Sequence, residues 1–245
     1  MDEEIKTANP LGYQKISKLL RSLAIPAIIA NLVNALYNVV DQIFIGQGIG
    51  YLGNAATNIA FPITTICLAI GLTLGIGGAS TFNLEIVKGK PDNSKHTAGT
   101  AASTLIIIGI ILCISIRIFL EPLMISFGAT DKILQYAMEY TGITSYGIPF
   151  LLFSIGVNPL VRADGNARYS MMAIIVGAVL NTILDPLFMF VFHWGIAGAA
   201  WATVISQVVS ASLLLVYFQR FKSVKFSLND FIPQIHYLKK IISLG

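Results

Sequence analysis

Charge is scarce in this chain: Asp, Glu, Lys and Arg together make up 11% of its 245 residues, under half the share of a typical soluble domain. With a mean hydropathy of +0.75, an ordinary water-exposed surface is excluded. Cysteine is nearly absent. Cys67 and Cys113 both sit inside apolar runs and read as small hydrophobes, so neither a disulfide framework nor a thiolate metal site is expected. There is no Gly-Lys-Ser/Thr phosphate loop for an ATP-driven pump and no paired His or Cys ligands for a metal enzyme. His96, His193 and His236 read as solvated side chains in loops or the tail. The formal net charge is +4, but the basic residues fall in short segments between apolar runs, where they set orientation across a membrane rather than bind nucleic acid. Lipid is therefore the expected solvent and partner for most of the chain, and no nucleic-acid partner is expected.

What is abundant is apolar length. Between Asp41 and Glu85 lie 43 residues without a charge, about 65 Å if helical, twice the ~30 Å hydrocarbon thickness of a bilayer. A fold-back is required. Six runs are long enough to cross as helices, near 22–46, 56–82, 97–119, 134–157, 169–191 and 196–219, and helices satisfy their own backbone in lipid. The expected fold is all-α: a polytopic six-helix membrane bundle. The first run exceeds the apolar core of a signal peptide and reads as a retained span. Fourteen Lys and Arg fall on one side, against Arg117 and Lys132 on the other, which predicts a multi-pass protein of the cell membrane with both termini cytoplasmic. Arg117 and Glu139 are expected as interfacial anchors.

The domain reading is a cytoplasmic N-terminal segment (1–21), a six-helix lobe (22–219), a cytoplasmic linker (220–238) and, at 239–245, the start of a truncated seventh span. The last of these rests on an echo: Lys239 to Gly245 shares its lysine, serine and following leucine with Lys18 to Ala24. It falls where a second copy of span one would begin, as in one half of a duplicated transporter.

Ionisable side chains inside spans are functional suspects because an unpartnered charge there costs several kcal/mol, about 2.5–3.5 on insertion scales. Two stand out, Asp41 in span one and Asp185 in span five, at matching depths in the outer half of the membrane. Asn31, Asn34, Tyr37, Asn38 and Asp41 follow three- and four-residue steps and share one helix face. Span five repeats the device with Asn181 and Asp185 at i and i+4, and span six offers Thr203, Ser206, Gln207 and Ser210. Together they would line a polar cavity. Burial disfavours the charged carboxylate and each negative charge opposes ionisation of the other, so the pair suits proton loading and release. Asp41, Asp185, Asn181 and Thr203 equally offer the oxygen ligands that suit sodium. Pro26 removes a backbone donor in the helix that carries Asp41 and predicts a kink. Gly71, Gly75 and the Gly198-Ala-Ala run read as close-packing surfaces.

The run Asn158-Pro-Leu-Val-Arg162-Ala-Asp-Gly165-Asn166, then Gly177-Ala-Val-Leu-Asn181-Thr-Ile-Leu-Asp185-Pro186 and Gly198-Ala-Ala-Trp-Ala-Thr203, resembles the multidrug and toxic compound extrusion (MATE) transporters. In span one, Pro26, Tyr37-Asn-Val-Val-Asp41 and Phe44-Ile-Gly46 agree. The similarity points to the bacterial DNA-damage-inducible F type branch and covers essentially the whole chain. It implies an N-terminal lobe that faces a missing C-terminal lobe, or a second copy of itself, across a central cleft. It further implies that Asp41 and Asp185 bind the coupling cation beside Asn181 and Thr203, that Tyr37, Asn38 and Asn158 help line the cavity, with Asn34 of the same stripe, and that Pro26 is a hinge. No cofactor is implied beyond H+ or Na+.

The leading expectation is thus a secondary active multidrug efflux antiporter lobe, not an enzyme, exchanging amphipathic or cationic organic compounds for H+ or Na+. A flippase-type exporter of a lipid-linked amphiphile is the alternative; it would want several cationic residues in the cleft, and no Lys or Arg falls in mid-span. An intramembrane aspartyl protease would want Gly-x-Gly-Asp, whereas Asp41 follows Val39-Val40 and Asp185 follows Ile183-Leu184.

Overall fold

The computed structural model describes residues 15–245; the acidic cluster and Lys6 of the expected N-terminal segment lie outside the described residues. Among the described residues, six helices are long and apolar enough to cross a membrane. They are α1 (Ile16–Gly48), α2 (Tyr51–Val87), α3 (Pro91–Ile118), a composite of α5 (Asp131–Thr144) and α6 (Ile148–Ala163), then α7 (Ala167–Pro186) and α8 (Gly195–Tyr217). A short helix α4 (Leu120–Ser126) bridges α3 and α5, a tight turn at Ser145–Gly147 joins α5 to α6, and α9 (Ile235–Leu244) ends the chain.

Several helices overrun the apolar windows read from sequence. At 37 residues, α2 is about 55 Å long, so its polar ends stand beyond any hydrocarbon core. Backbone hydrogen bonding does not stop where hydropathy does. The turns follow local chemistry. Pro91 opens α3, where its missing N–H costs nothing, and Gly165 takes φ 85° between α6 and α7, a conformation that side chains resist.

The core lies around α6, which packs against α2, α3 and α8. Glycines set the closest crossings. Gly75 meets the backbone of Gly156, Gly71 receives the Ile155 side chain, and Gly109 abuts Pro149, so a Cβ at any of the three would collide. Small residues let helix backbones approach, which is how bundles pack without a hydrophobic drive between helices. By contrast α1 lies along α7 and barely touches α2. It stays open on two sides: Leu32, Leu36 and Val39 are exposed on one, Asn31, Asn34 and Asn38 on the other.

Arg117 is bound to protein rather than merely anchored at an interface: it donates to the Gly142 carbonyl at 2.8 Å and its guanidinium lies 4.2 Å from the Tyr146 ring centroid.

The segment after α8 is docked. Asp164, fully buried, accepts from the Tyr217 hydroxyl at 2.8 Å and from the backbone N–H groups of Lys222 and Ser223 at 2.9 Å each. Phe218, Phe221, Phe226 and Phe231 then form an aromatic cluster, with Phe218 5.0 to 5.2 Å from each of the other three rings. Helix α9 starts at Ile235, four residues before the boundary the sequence echo marks, and lies on α2, where the Ile241 carbonyl occupies the space a Cβ on Gly77 would need. Its Tyr237 donates to Asn93 Oδ1 at 3.0 Å, and Lys240 reaches Glu85 at 3.7 Å. His96, expected as a solvated loop residue, instead sits in α3, stacked on Tyr237 and 3.4 Å from Asp230. The correction has a simple cause: Pro91 starts α3 earlier than hydropathy indicates, so His96 falls on a helix face covered by α9.

Candidate functional site

Because α1 runs along α7, the two intramembrane carboxylates meet. Asp41 is 7% exposed and Asp185 fully buried, and their side chains lie within hydrogen-bonding reach of one another. Asn181, one turn before Asp185, donates to Asp185 Oδ1 at 3.3 Å and to Thr203 Oγ1 of α8 at 3.4 Å. Asp41 Oδ2 accepts from Gln42 Nε2 at 3.4 Å, and Gln42 in turn accepts from Thr57 Oγ1 of α2 at 3.2 Å. Three oxygens remain buried without a donor: Asp41 Oδ1, Asp185 Oδ2 and Asn181 Oδ1. Two carboxylates cannot donate to each other, so one proton or one small hard cation would complete the arrangement. The residues fit such a group through oxygen atoms alone.

Immediately after Asp185 the helix changes. Pro186 removes a donor and the chain widens into a π-helical turn at Leu187–Val191, a local irregularity that often marks functional positions.

Beside the carboxylates lies a cavity of about 440 Å³. Tyr37, Asn181 and Thr203 line it and also belong to the carboxylate cluster, so the two spaces share walls. Asn31 and Asn34 of α1 form one polar wall, Ser154, Asn158 and Arg162 of α6 another, and Ser206, Gln207 and Ser210 of α8 a third. Leu68, Leu72, Ile155 and Ile174 supply apolar surface between them. Ser154 Oγ, Ser206 Oγ and Gln207 Oε1 are buried with no partner. An apolar chamber with a few convergent polar groups is the ordinary form of a small-molecule site.

Of the residues singled out in the sequence, Asp41, Asp185, Asn181 and Thr203 come together in one cluster, and Tyr37, Asn34 and Asn158 line the cavity beside it. Asn38 does not. It bonds back to Asn34 and opens into a separate shallow groove with Gln42, Gln47 and Asn54. Pro26 is buried inside α1, about 22 Å along the helix from Asp41. Two participants escaped the sequence reading. Tyr140 of α5 presents its hydroxyl to Thr203 and feels both carboxylates; nothing distinguishes it in sequence from the chain's other tyrosines. Arg162 lines the cavity rather than sitting in a loop, because α6 continues to Ala163, past the expected end of span four at 157.

The MatE family pattern matches residues 26–187, which spans both aspartates. The chain belongs to the MatE family. Among its MatE relatives, the multidrug export protein MepA of Staphylococcus haemolyticus is 23% identical over 94% of this chain and 51% of its own length. The probable multidrug resistance protein YpnP of Bacillus subtilis is 29% identical over 94% and 52%. Among solved structures, a MOP superfamily transporter from Pyrococcus furiosus superposes with a TM-score of 0.85 at 30% identity, covering 93% of this chain and 51% of that one. A MATE structure in its bent conformation gives 0.86 at 28% identity, over 99% and 53%. The chain thus spans about half the length of the relatives it matches and corresponds to one MatE lobe. These relatives are transporters, and the chain is not an enzyme.

Proposed function

We propose that this chain acts as the N-terminal lobe of a secondary active multidrug efflux antiporter in the cell membrane, exporting amphipathic or cationic organic compounds in exchange for H+ or Na+. The observation that supports it is the shared wall: Asn181 bonds both Asp185 and Thr203, Tyr37 stands within electrostatic reach of the buried Asp41–Asp185 pair, and all three line the cavity. A cation entering the pair removes one of its negative charges, changes which acceptors the Asn181 amide and the Thr203 hydroxyl serve, and so alters the cavity that binds cargo. Exchange takes its sign from competition: a ligand shifts the equilibrium only through its different affinity for the two states. The distribution of Lys and Arg supports cytoplasmic termini. A second lobe, or a second copy, would close the open side of the cavity, with the segment from Arg220 onward as the link.

The test is dye extrusion by everted membrane vesicles carrying the protein from its complete reading frame, driven separately by a pH gradient and a sodium gradient. Asp41→Asn and Asp185→Asn should each abolish gradient-driven extrusion while the protein remains in the membrane at normal level. Extrusion at the wild-type rate by either variant would remove the coupling role.

A further inference from the structure

Among the described residues Arg162 is the one basic residue in the cavity wall, and its surroundings leave it without an ion pair. Among the described residues the carboxylates in ion pairs are Glu85, Asp92 and Asp230, none of them with Arg162. The nearest acid in sequence, Asp164, is turned away, with both oxygens taken by Tyr217, Lys222 and Ser223. Meanwhile the guanidinium is held: Nε donates to Ser170 Oγ at 3.0 Å, Ser170 donates to Asn158 Oδ1, and Asn158 Nδ2 donates to the Ser154 carbonyl at 3.2 Å. That chain uses Nε and leaves the two terminal nitrogens, the planar fork that matches carboxylates and phosphates. Ser154, Asn158 and Arg162 stand at i, i+4 and i+8, one stripe on α6 facing the cavity.

The cavity therefore has two unlike ends. From Ser170, beside Arg162, to Asn181 is about 16 Å along α7. Between the ends run the apolar side chains Leu68, Leu72, Ile155 and Ile174. A purely cationic cargo would leave a half-buried, oriented guanidinium without a counterion, whereas an elongated amphiphile with an oxyanion at one end would satisfy it. Given the export reading above, we propose that Arg162 is the oxyanion-recognising pole of this cavity, and that its preferred occupant carries a carboxylate or phosphate on an apolar body. The oxyanion can come from the exported solute or from a phospholipid headgroup.

The experiment uses the protein from its complete reading frame in phosphatidylcholine nanodiscs. Binding is titrated by fluorescence anisotropy with a xanthene dye bearing a free carboxylate and with its methyl ester. The carboxylate form should bind about tenfold more tightly, the worth of one charge-assisted hydrogen-bonded contact. Arg162→Gln should bring the ratio to about one, and Arg162→Lys, which keeps charge but loses the fork, to a value between. A ratio near one in the unaltered protein, or an undiminished ratio in Arg162→Gln, overturns the proposal; where Arg162→Gln does not fold, an undiminished ratio in Arg162→Lys does so. Repeating the titration in phosphatidylglycerol nanodiscs separates the sources. A ratio that collapses there, with phosphatidylglycerol retained by the unaltered protein and lost from Arg162→Gln in native mass spectrometry, assigns the oxyanion to lipid; a persisting ratio assigns it to solute. Extrusion of the ester by everted vesicles reads the export reading separately. Extrusion with a flat binding ratio sinks only the Arg162 assignment, and a steep ratio without extrusion sinks only export.

Discussion

Tyr140 shows what a single hydroxyl can decide. It reaches Thr203 from α5 and stands near both carboxylates, so it is placed to hold Thr203 when Asn181 turns toward Asp185. Tyr140→Phe removes the hydroxyl and keeps the ring, and should slow gradient-driven extrusion about three- to tenfold, the scale of one polar contact. Gradient-free dye binding should change far less, because Tyr140 does not line the cavity. Equal losses in both assays would mean the ring, not the hydroxyl, matters. The two aspartates were legible in sequence because ionisable groups in apolar runs are rare enough to stand out. Asn181 was legible through its four-residue step to Asp185. Tyr140 was not, since an amphipathic ring near a membrane interface is ordinary, and Arg162 was not, since hydropathy ends a span one or two turns before its helix ends.

At the scale of elements, the helix count and order follow from apolar run length, but what glycine does within those runs does not. A Gly in a span reads only as a packing surface; which backbone lies against it depends on chain segments far away. Gly77 illustrates this. It faces α9, whose Ile241 carbonyl fills the position of a Cβ. Gly77→Ala should therefore lift α9 from α2 without disturbing the carboxylate cluster. A cysteine introduced at Ile241, fully buried at present, should pass from unreactive to reactive toward a water-soluble maleimide. Continued protection would mean that α9 can shift sideways and stay docked. The docking itself was hidden because the stretch from Phe221 onward is polar enough to pass for a solvated linker, and only the folded arrangement places Asp164, Asn93 and Glu85 where they receive it.

For the molecule as a whole, α1 presents asparagines on one side and Leu32, Leu36 and Val39 on another. Three amides facing hydrocarbon would be costly, so that side is expected to border a water-filled cleft between lobes. Asn38→Cys should react with a membrane-impermeant maleimide in intact vesicles, while Leu36→Cys should remain unlabelled. The reverse pattern would place α1 the other way round in the bilayer.

The Gly75–Gly156 crossing carries a mechanical implication. Where two backbones touch with no side chain between them, the main chain itself fixes their separation, and here the Leu105 side chain packed on Gly156 closes the crossing from α3. One turn away on α2, the Ile155 side chain is seated on Gly71 and fixes the rotational setting of α6. The Ser154, Asn158 and Arg162 stripe rides on this same helix, so a methyl group added at Gly71 or Gly75 is expected to displace that wall of the chamber.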